Sequence, residues 1–293
     1  MQGIFAIELI SVYYISLMRK FFFVCFFSLA SAFGLFSCGM HDMLQFDGNV
    51  TEAKMVKALQ EALVLGSQTA ALNLGDSSCT SRLSGVKNCA TGYLGNKLVE
   101  IALPDTIKNV LDTVSKYFPG LSSIVRSYGD SIRIALNRGA EMAAPASVNV
   151  FKDAIFGMSF SDAKGVLLGD SIAATSYLKV NTYSGLQNAF GPILEQPLRA
   201  LRIDRYWKPI ALNYNSYVKT LLGTAAVPED LSEYLTKYAT GKALDGLFLM
   251  VGKQETKLRI DPLGAVRDAG SLVSDATGSL LSDVFGKAKD GSL

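Results

Sequence analysis

Histidine is almost absent from this chain: 293 residues contain one, His41. A serine or cysteine nucleophile needs a base to take its proton, and zinc sites draw on imidazoles or on thiolates at close spacing. One imidazole near the N-terminus supplies neither. The sequence also lacks a Glu-x-x-His pair, a cysteine pair at metal-ligand spacing and a Gly-x-x-x-x-Gly-Lys phosphate loop. No metal and no cofactor are expected. An excess of one charge sign is missing too, with 28 Lys and Arg against 26 Asp and Glu and a net charge of +2. Such a balance argues against nucleic acid as a partner. Strand signals are thin: the runs Val166 to Leu168 and Leu247 to Val251 are short, and no hairpin-type turn joins two of them. Repeats of solenoid period are absent as well.

What is present begins with a leader. Met18, Arg19 and Lys20 precede an apolar run from Phe21 that ends in Leu35, Phe36 and Ser37 before Cys38. This is the layout of a bacterial lipoprotein signal. Cleavage before Cys38 and acylation of its thiol are expected, leaving the chain tethered to a membrane of the cell envelope. Gly39 after the cysteine, with no Asp, favours the outer membrane under enterobacterial sorting. Residues 1 to 17 are apolar in a way no ordinary signal peptide shows, which points to a start at Met18. If residues 4 to 36 were instead one uncleaved anchor, Arg19 and Lys20 would sit mid-span at roughly 2.5 to 3.5 kcal/mol each. The expected division is a signal over 1–37, a lipid anchor and tether over 38–49, a helical domain over 50–286 and a tail over 287–293.

Within the domain, apolar residues recur at helical spacing. Thr51 is a candidate cap for a helix carrying Met55, Val56, Leu59, Ala62 and Leu63. Pro104 and Asp105 open a second helix that closes near Pro119. A third runs from Ser122 towards Ala144. Shorter pieces follow over Val148 to Phe156, Ser161 to Leu168 and Ala173 to Phe190. Pro192, Pro197 and Pro209 are expected to break the chain beyond that point, around Trp207. Helices from Tyr214 to Leu222 and from Pro228 to about Ile260 complete the set. In the last, Leu244, Leu247, Phe248, Val251 and Leu258 form one continuous face. The fold class is therefore all-α, a single multi-helix domain. Cys79 and Cys89 lie in a Gly- and Ser-rich stretch. In an oxidising envelope they are expected as a disulfide, whose loop of about 11 residues would contribute roughly 2.5 to 3 kcal/mol.

One run of residues resembles a known family. Asn137, Arg138, Gly139, Ala140 and Glu141, then Ala144, Pro145, Phe151, Ala154, Ile155, Met158, Asp162 and Ala163 are similar to the bacterial family named domain of unknown function 4197. Ala173 to Thr175, Tyr177, Lys242 to Phe248, Glu255, Arg259, Asp261 and Pro262 continue the resemblance, which spans about residues 50 to 286. It implies an exported helical protein and brings no activity with it. It also implies that Asp76 to Thr91 is an insertion, so that the disulfide would be a local clasp.

Several residues remain candidates for a site. Gly169, Asp170, Ser171 and Ile172 imitate the opening of Gly-Asp-Ser esterases, but no histidine follows them. Asn137, Arg138, Glu141, Asp153, Asp162, Lys242, Asp245, Arg259 and Asp261 form a candidate polar set. Its carboxylates could act as acid and base if two of them stood about 5 to 9.5 Å apart, although caps and ion pairs also account for each. Arg199, Arg202, Arg205 and Lys208 beside Trp207 form a candidate basic patch for lipid headgroups or anionic glycans, or an ordinary solvated helix face. The expected function is a non-enzymatic envelope lipoprotein that binds or scaffolds, its partners being the membrane and an envelope protein or lipid. A carrier with an apolar pocket for a lipid, or a carboxylate-based hydrolase of an envelope polymer, are the alternatives. Mass spectrometry of the native protein should find an acylated N-terminal peptide beginning at Cys38; an unacylated peptide starting upstream of it would defeat the lipoprotein assignment.

Overall fold

A computed structural model of the protein describes residues 52–77, 91–117, 119–218, 226–261 and 264. The chain divides into two units, Met1–Thr51 and Glu52–Leu293. The leader, Cys38, the tether, Thr51, the pair Cys79 and Cys89, and the tail beyond Asp261 apart from Gly264 lie outside the described residues. No described helix is long and apolar enough to cross a membrane.

All regular structure among the described residues is helical. The main elements are α1 (Glu52–Gly75), α2 (Asp105–Tyr117), α3 (Ser122–Ala143), α4 (Ser147–Phe156), α5 (Phe160–Leu168), α6 (Ala173–Ala200), α7 (Ile203–Asn213) and α8 (Leu231–Ile260). Single 3₁₀ turns at Pro119–Leu121 and Ala144–Ala146 join α2 to α3 and α3 to α4, and a π-helical turn over Tyr214–Val218 follows α7. The two longest helices, α6 and α8, pack along each other, with α3 against α6 and α1 against α8. The predicted face of α8 is the reason: Leu244, Leu247, Phe248, Val251 and Leu258 are all buried. Each such side chain is worth about 1.5 to 3 kcal/mol on leaving water.

The prolines were expected to end the helix that begins at Ala173, and they do not. Helix α6 runs through Pro192 and Pro197 to Ala200. An interior proline removes a hydrogen bond and costs about 3 kcal/mol. Here Leu178, Thr182, Leu186, Phe190, Leu194 and Leu198 recur every fourth residue as an unbroken buried row. Burial of Leu194 and Leu198, both beyond Pro192, offsets the loss. Pro209 likewise sits inside α7 at an exposed position. The actual break falls at Leu201 and Arg202, where Arg202 takes φ +50, the left-handed region. A side chain in that region costs roughly 1 to 3 kcal/mol. Full burial of Leu198 before the corner and of Ile203 after it holds the turn.

Helices α3 and α6 meet at Gly139, where an added Cβ would stand 3.2 Å from the Leu194 Cα and 3.3 Å from its carbonyl oxygen. Backbone on both sides cannot give way, so Gly139→Ala should lower stability by about 1 to 3 kcal/mol. Gly241 in α8 has nothing within 4 Å of the same position, and Gly241→Ala should raise stability by about 0.5 to 1 kcal/mol. Urea unfolding of the two variants checks both signs at once.

Candidate functional site

Of the three candidate polar residues on α3, Asn137 and Glu141 bond to one non-helical stretch, residues 91–104, and Arg138 pairs with Glu141. Asn137 and Glu141 are one turn apart and both buried. The Asn137 side chain accepts from the Ile101 N–H at 2.8 Å and donates to the Ile101 carbonyl at 2.8 Å, pairing with that residue as a neighbouring strand would. Glu141 Oε1 accepts the N–H groups of Tyr93 at 3.0 Å and Leu94 at 2.9 Å. Its other oxygen accepts from Arg138 at 2.5 Å, and Arg138 also donates to the Ser77 carbonyl. Gly92 permits the approach with φ +73, since a Cβ there would lie 2.8 Å from Glu141 Oε1. Tyr93 is fully buried and donates its hydroxyl to the Ala243 carbonyl on α8. Burial, and then the neighbouring Glu141, push its phenol well above the usual tyrosine range. The hydroxyl therefore keeps its proton and the bond.

A second buried cluster joins α5, α6 and α8. Glu255 accepts the N–H groups of Ala174 at 2.9 Å and Thr175 at 2.8 Å, together with the Thr175 hydroxyl. These are orphan donors at the start of α6, served by a carboxylate from another helix. Arg259, one turn on, pairs with Glu255 at 2.8 Å and donates to the Val166 carbonyl at 2.7 Å, near the end of α5. Thus one ion pair puts negative charge at a helix start and positive charge at a helix end. Glu255 was absent from the candidate set, yet the signal was present: it falls on the same face of α8 as Leu244, Phe248, Val251 and Leu258, a carboxylate inside an apolar stripe. Asp204 does the same for α8, accepting from the Ser232 N–H at 2.9 Å and from its hydroxyl. Asn215 repeats the Asn137 device on Val227, accepting at 2.8 Å and donating at 2.9 Å.

The other candidates are dispersed. Asp162 forms a capping box with Ser159 at the start of α5. Asp261 accepts from the Gly264 N–H. Lys242 and Asp245 face each other at 4.0 Å on the exposed side of α8, and Asp153 is exposed on α4. No two of the candidate carboxylates share a hydrogen-bond partner among the described residues. The basic residues do not share one helix. Arg199 lies in the last turn of α6, paired with Glu195, Arg202 forms the corner, and Arg205 and Lys208 are exposed on α7. Trp207 is not at the surface: it is fully buried and donates its indole N–H to the Pro228 carbonyl at 2.6 Å.

Trp207 instead forms one wall of a cleft of about 340 Å³. Val110, Leu111 and Val114 of α2, Ile124, Val125 and Tyr128 of α3, and Tyr206, Trp207 and Ile210 of α7 line it. Ile124 is 65% exposed and Tyr206 59%, so the cleft opens to solvent. Its lining presents no charge. The Tyr128 hydroxyl is donated to the Ile203 carbonyl at 3.2 Å. Burial first, then Asp204 and Tyr206, push that phenol up to about 12, so it stays neutral. Apolar lining of this extent suits ligands that need no hydrogen bond, and the volume lies at the small end of the roughly 300 to 1,000 Å³ of ligand sites.

Comparison with known proteins adds a family. A family model described as protein of unknown function, DUF4197, matches residues 49–286. No curated protein and no solved structure matches the chain.

The Glu255 cluster makes a sharp stability test. Glu255→Ala would leave two N–H groups without their acceptor and would remove the carboxylate that Arg259, 16% exposed, pairs with, leaving that cation its bonds to backbone carbonyls. Loss of one member of a buried pair costs about 3 to 5 kcal/mol. Denaturant unfolding should show a fall of that size, with a smaller one for Glu255→Gln, which retains an acceptor; a loss below about 1 kcal/mol would mean that the cap is dispensable.

Proposed function

Since the chain belongs to the DUF4197 family of proteins of unknown function, its role must be sought in its own geometry, and we propose that it is a lipid-anchored protein of the bacterial cell envelope that works by binding a hydrophobic ligand. The cleft between α2, α3 and α7 carries this proposal. An open apolar concavity exposes Ile124, Tyr206 and Ile210 to water, a cost that a ligand's hydrocarbon removes on seating.

The polar groups support binding over catalysis. Asn137, Arg138, Glu141, Glu255 and Arg259 are each engaged with backbone or with one another. Hydrolysis by paired carboxylates gains no support from Asp153, Asp162, Asp245 and Asp261, which lie on separate elements or in separate local pairs. The anchor at Cys38 follows from the leader and fits a domain that handles lipid or another envelope component.

Native mass spectrometry of protein extracted from its own membrane tests the anchor and the ligand together. The expected spectrum shows covalent acyl mass at Cys38 and a non-covalent adduct of lipid size. Ile124→Asp, at an exposed position, should remove the adduct and keep the anchor. A wild-type protein that carries no adduct and takes up none from added lipid would end the binding proposal.

A further inference from the structure

We propose that the corner between α4 and α5 is a second contact with the membrane, seating Phe156 and Phe160 in the interface of the bilayer that holds the Cys38 anchor. This rests on the anchor's being present and adds the face that the domain turns to lipid. Phe156 ends α4 and Phe160 opens α5, with Gly157, Met158 and Ser159 between them. The two rings are 62% and 38% exposed, and Leu168, about two turns beyond Phe160 on the same side of α5, is 52% exposed. The turn does not need the rings: Met158 is buried and ties it to the core, and Ser159 with Asp162 caps α5. Lys164 stands between Phe160 and Leu168 and is exposed. Aromatic rings beside a lysine, whose stem can lie along lipid while its charge stays in water, suit a bilayer interface.

The path of the chain names the occupant. Helix α1 packs on α4 and α5, and its Gln60 donates to the carbonyl of Ile155, the residue before Phe156, at 3.0 Å. Glu52 opens α1 eight residues, about 12 Å, before Gln60. Because residues 38–51 run into Glu52, an acylated Cys38 is joined to the domain near the corner that exposes the rings, through a span of at most about 50 Å. Such a tether raises the local concentration of that corner at the lipid, so burial of a few apolar side chains suffices to seat it. Charge does not draw it there: among the described side chains of α1, α4 and α5 near the corner, Lys57, Lys152 and Lys164 stand against Glu61, Asp153 and Asp162. At the other end of α5, Asp170 accepts from the Ile172 N–H and Arg259 bonds to the Val166 carbonyl. This balance matches the interface of a neutral phospholipid. The cleft lines α7, which follows the far end of α6, a helix of 28 residues or about 42 Å, so seating the corner leaves the cleft open to water.

Trypsin cuts after Lys152 and Lys164, so residues 153–164 leave as one peptide that holds both rings. The protein extracted from its own membrane is returned to phosphatidylcholine vesicles that include phosphatidylcholine with a diazirine on one acyl chain, then irradiated and digested. Flotation with the vesicles and the acyl mass at Cys38 report the anchor, and the peptides that carry lipid adducts report the face. Adducts should concentrate on residues 153–164. Phe156→Ser with Phe160→Ser, both at exposed positions, should cut them about tenfold and leave flotation unchanged. Leu249→Ser, which removes a 44% exposed apolar side chain on α8, should change neither, and an equal fall there overturns the assignment to this corner. Adducts spread evenly over the surface peptides, or concentrated on residues 117–126 beside the cleft, overturn the docking and leave the anchor standing. Protein that has no acyl mass and does not float removes the anchor, and the docking with it.

Discussion

A buried backbone N–H or carbonyl must find a partner, and in an all-helical domain this requirement falls on helix ends and connectors. Helix interiors satisfy themselves. The start of α6, the end of α5, the start of α8 and the partly buried stretch 91–104 do not, and each is served by a side chain from elsewhere in the chain. Glu255, Arg259, Asp204, Asn137 and Glu141 do this work. Remove them and the packed faces of α3, α6 and α8 would enclose polar groups with no acceptor. The hydrophobic core thus depends on a few polar residues placed where the helices stop.

The same requirement explains why a polar motif in this chain reads so readily as a site. Asn137 and Glu141 are buried, Arg138 is half-buried beside them, and all three are richly hydrogen-bonded, as catalytic groups often are. Their partners are main-chain atoms within the fold, which leaves them little capacity for a substrate. The candidate ligand surface lies elsewhere, on α2, α3 and α7, and is apolar. The two regions differ in chemistry: charge closes the bundle, and hydrocarbon lines the cleft.

Much of the fold was legible in the sequence. Starts and ends of α2 to α5 fall within a residue or two of their expected positions, because caps, prolines and 3.6-residue periodicity are local signals. The buried face of α8 was equally plain. Local signals failed where tertiary burial outweighed them. Pro192 and Pro197 signal a break, but Leu194 and Leu198 supply enough burial to carry α6 past both. The cations from Arg199 to Lys208 looked like one patch, but the left-handed turn at Arg202 lies between the two helices that carry them. Trp207 beside them looked superficial, and its burial depends on α2, α3 and Pro228, none of which is near in sequence. Glu255 was visible as a charge in an apolar stripe, but its partners on α6 lie 80 residues away, beyond the reach of any periodicity.

The clasp at Glu255 also fixes an order of events. Its bonds to α6 span 80 and 81 residues, and the Tyr93 hydroxyl reaches 150 residues forward to Ala243. Contacts of such range are slow to form, since the loop must close before it is rewarded. They also come last during synthesis, because α8 emerges after every helix that it completes. Until then the start of α6 lacks its cap and the stretch 91–104 lacks its anchor on α8. The nascent chain is therefore held short of its native state by its own topology, a property that suits any polypeptide which must pass a narrow channel before it folds.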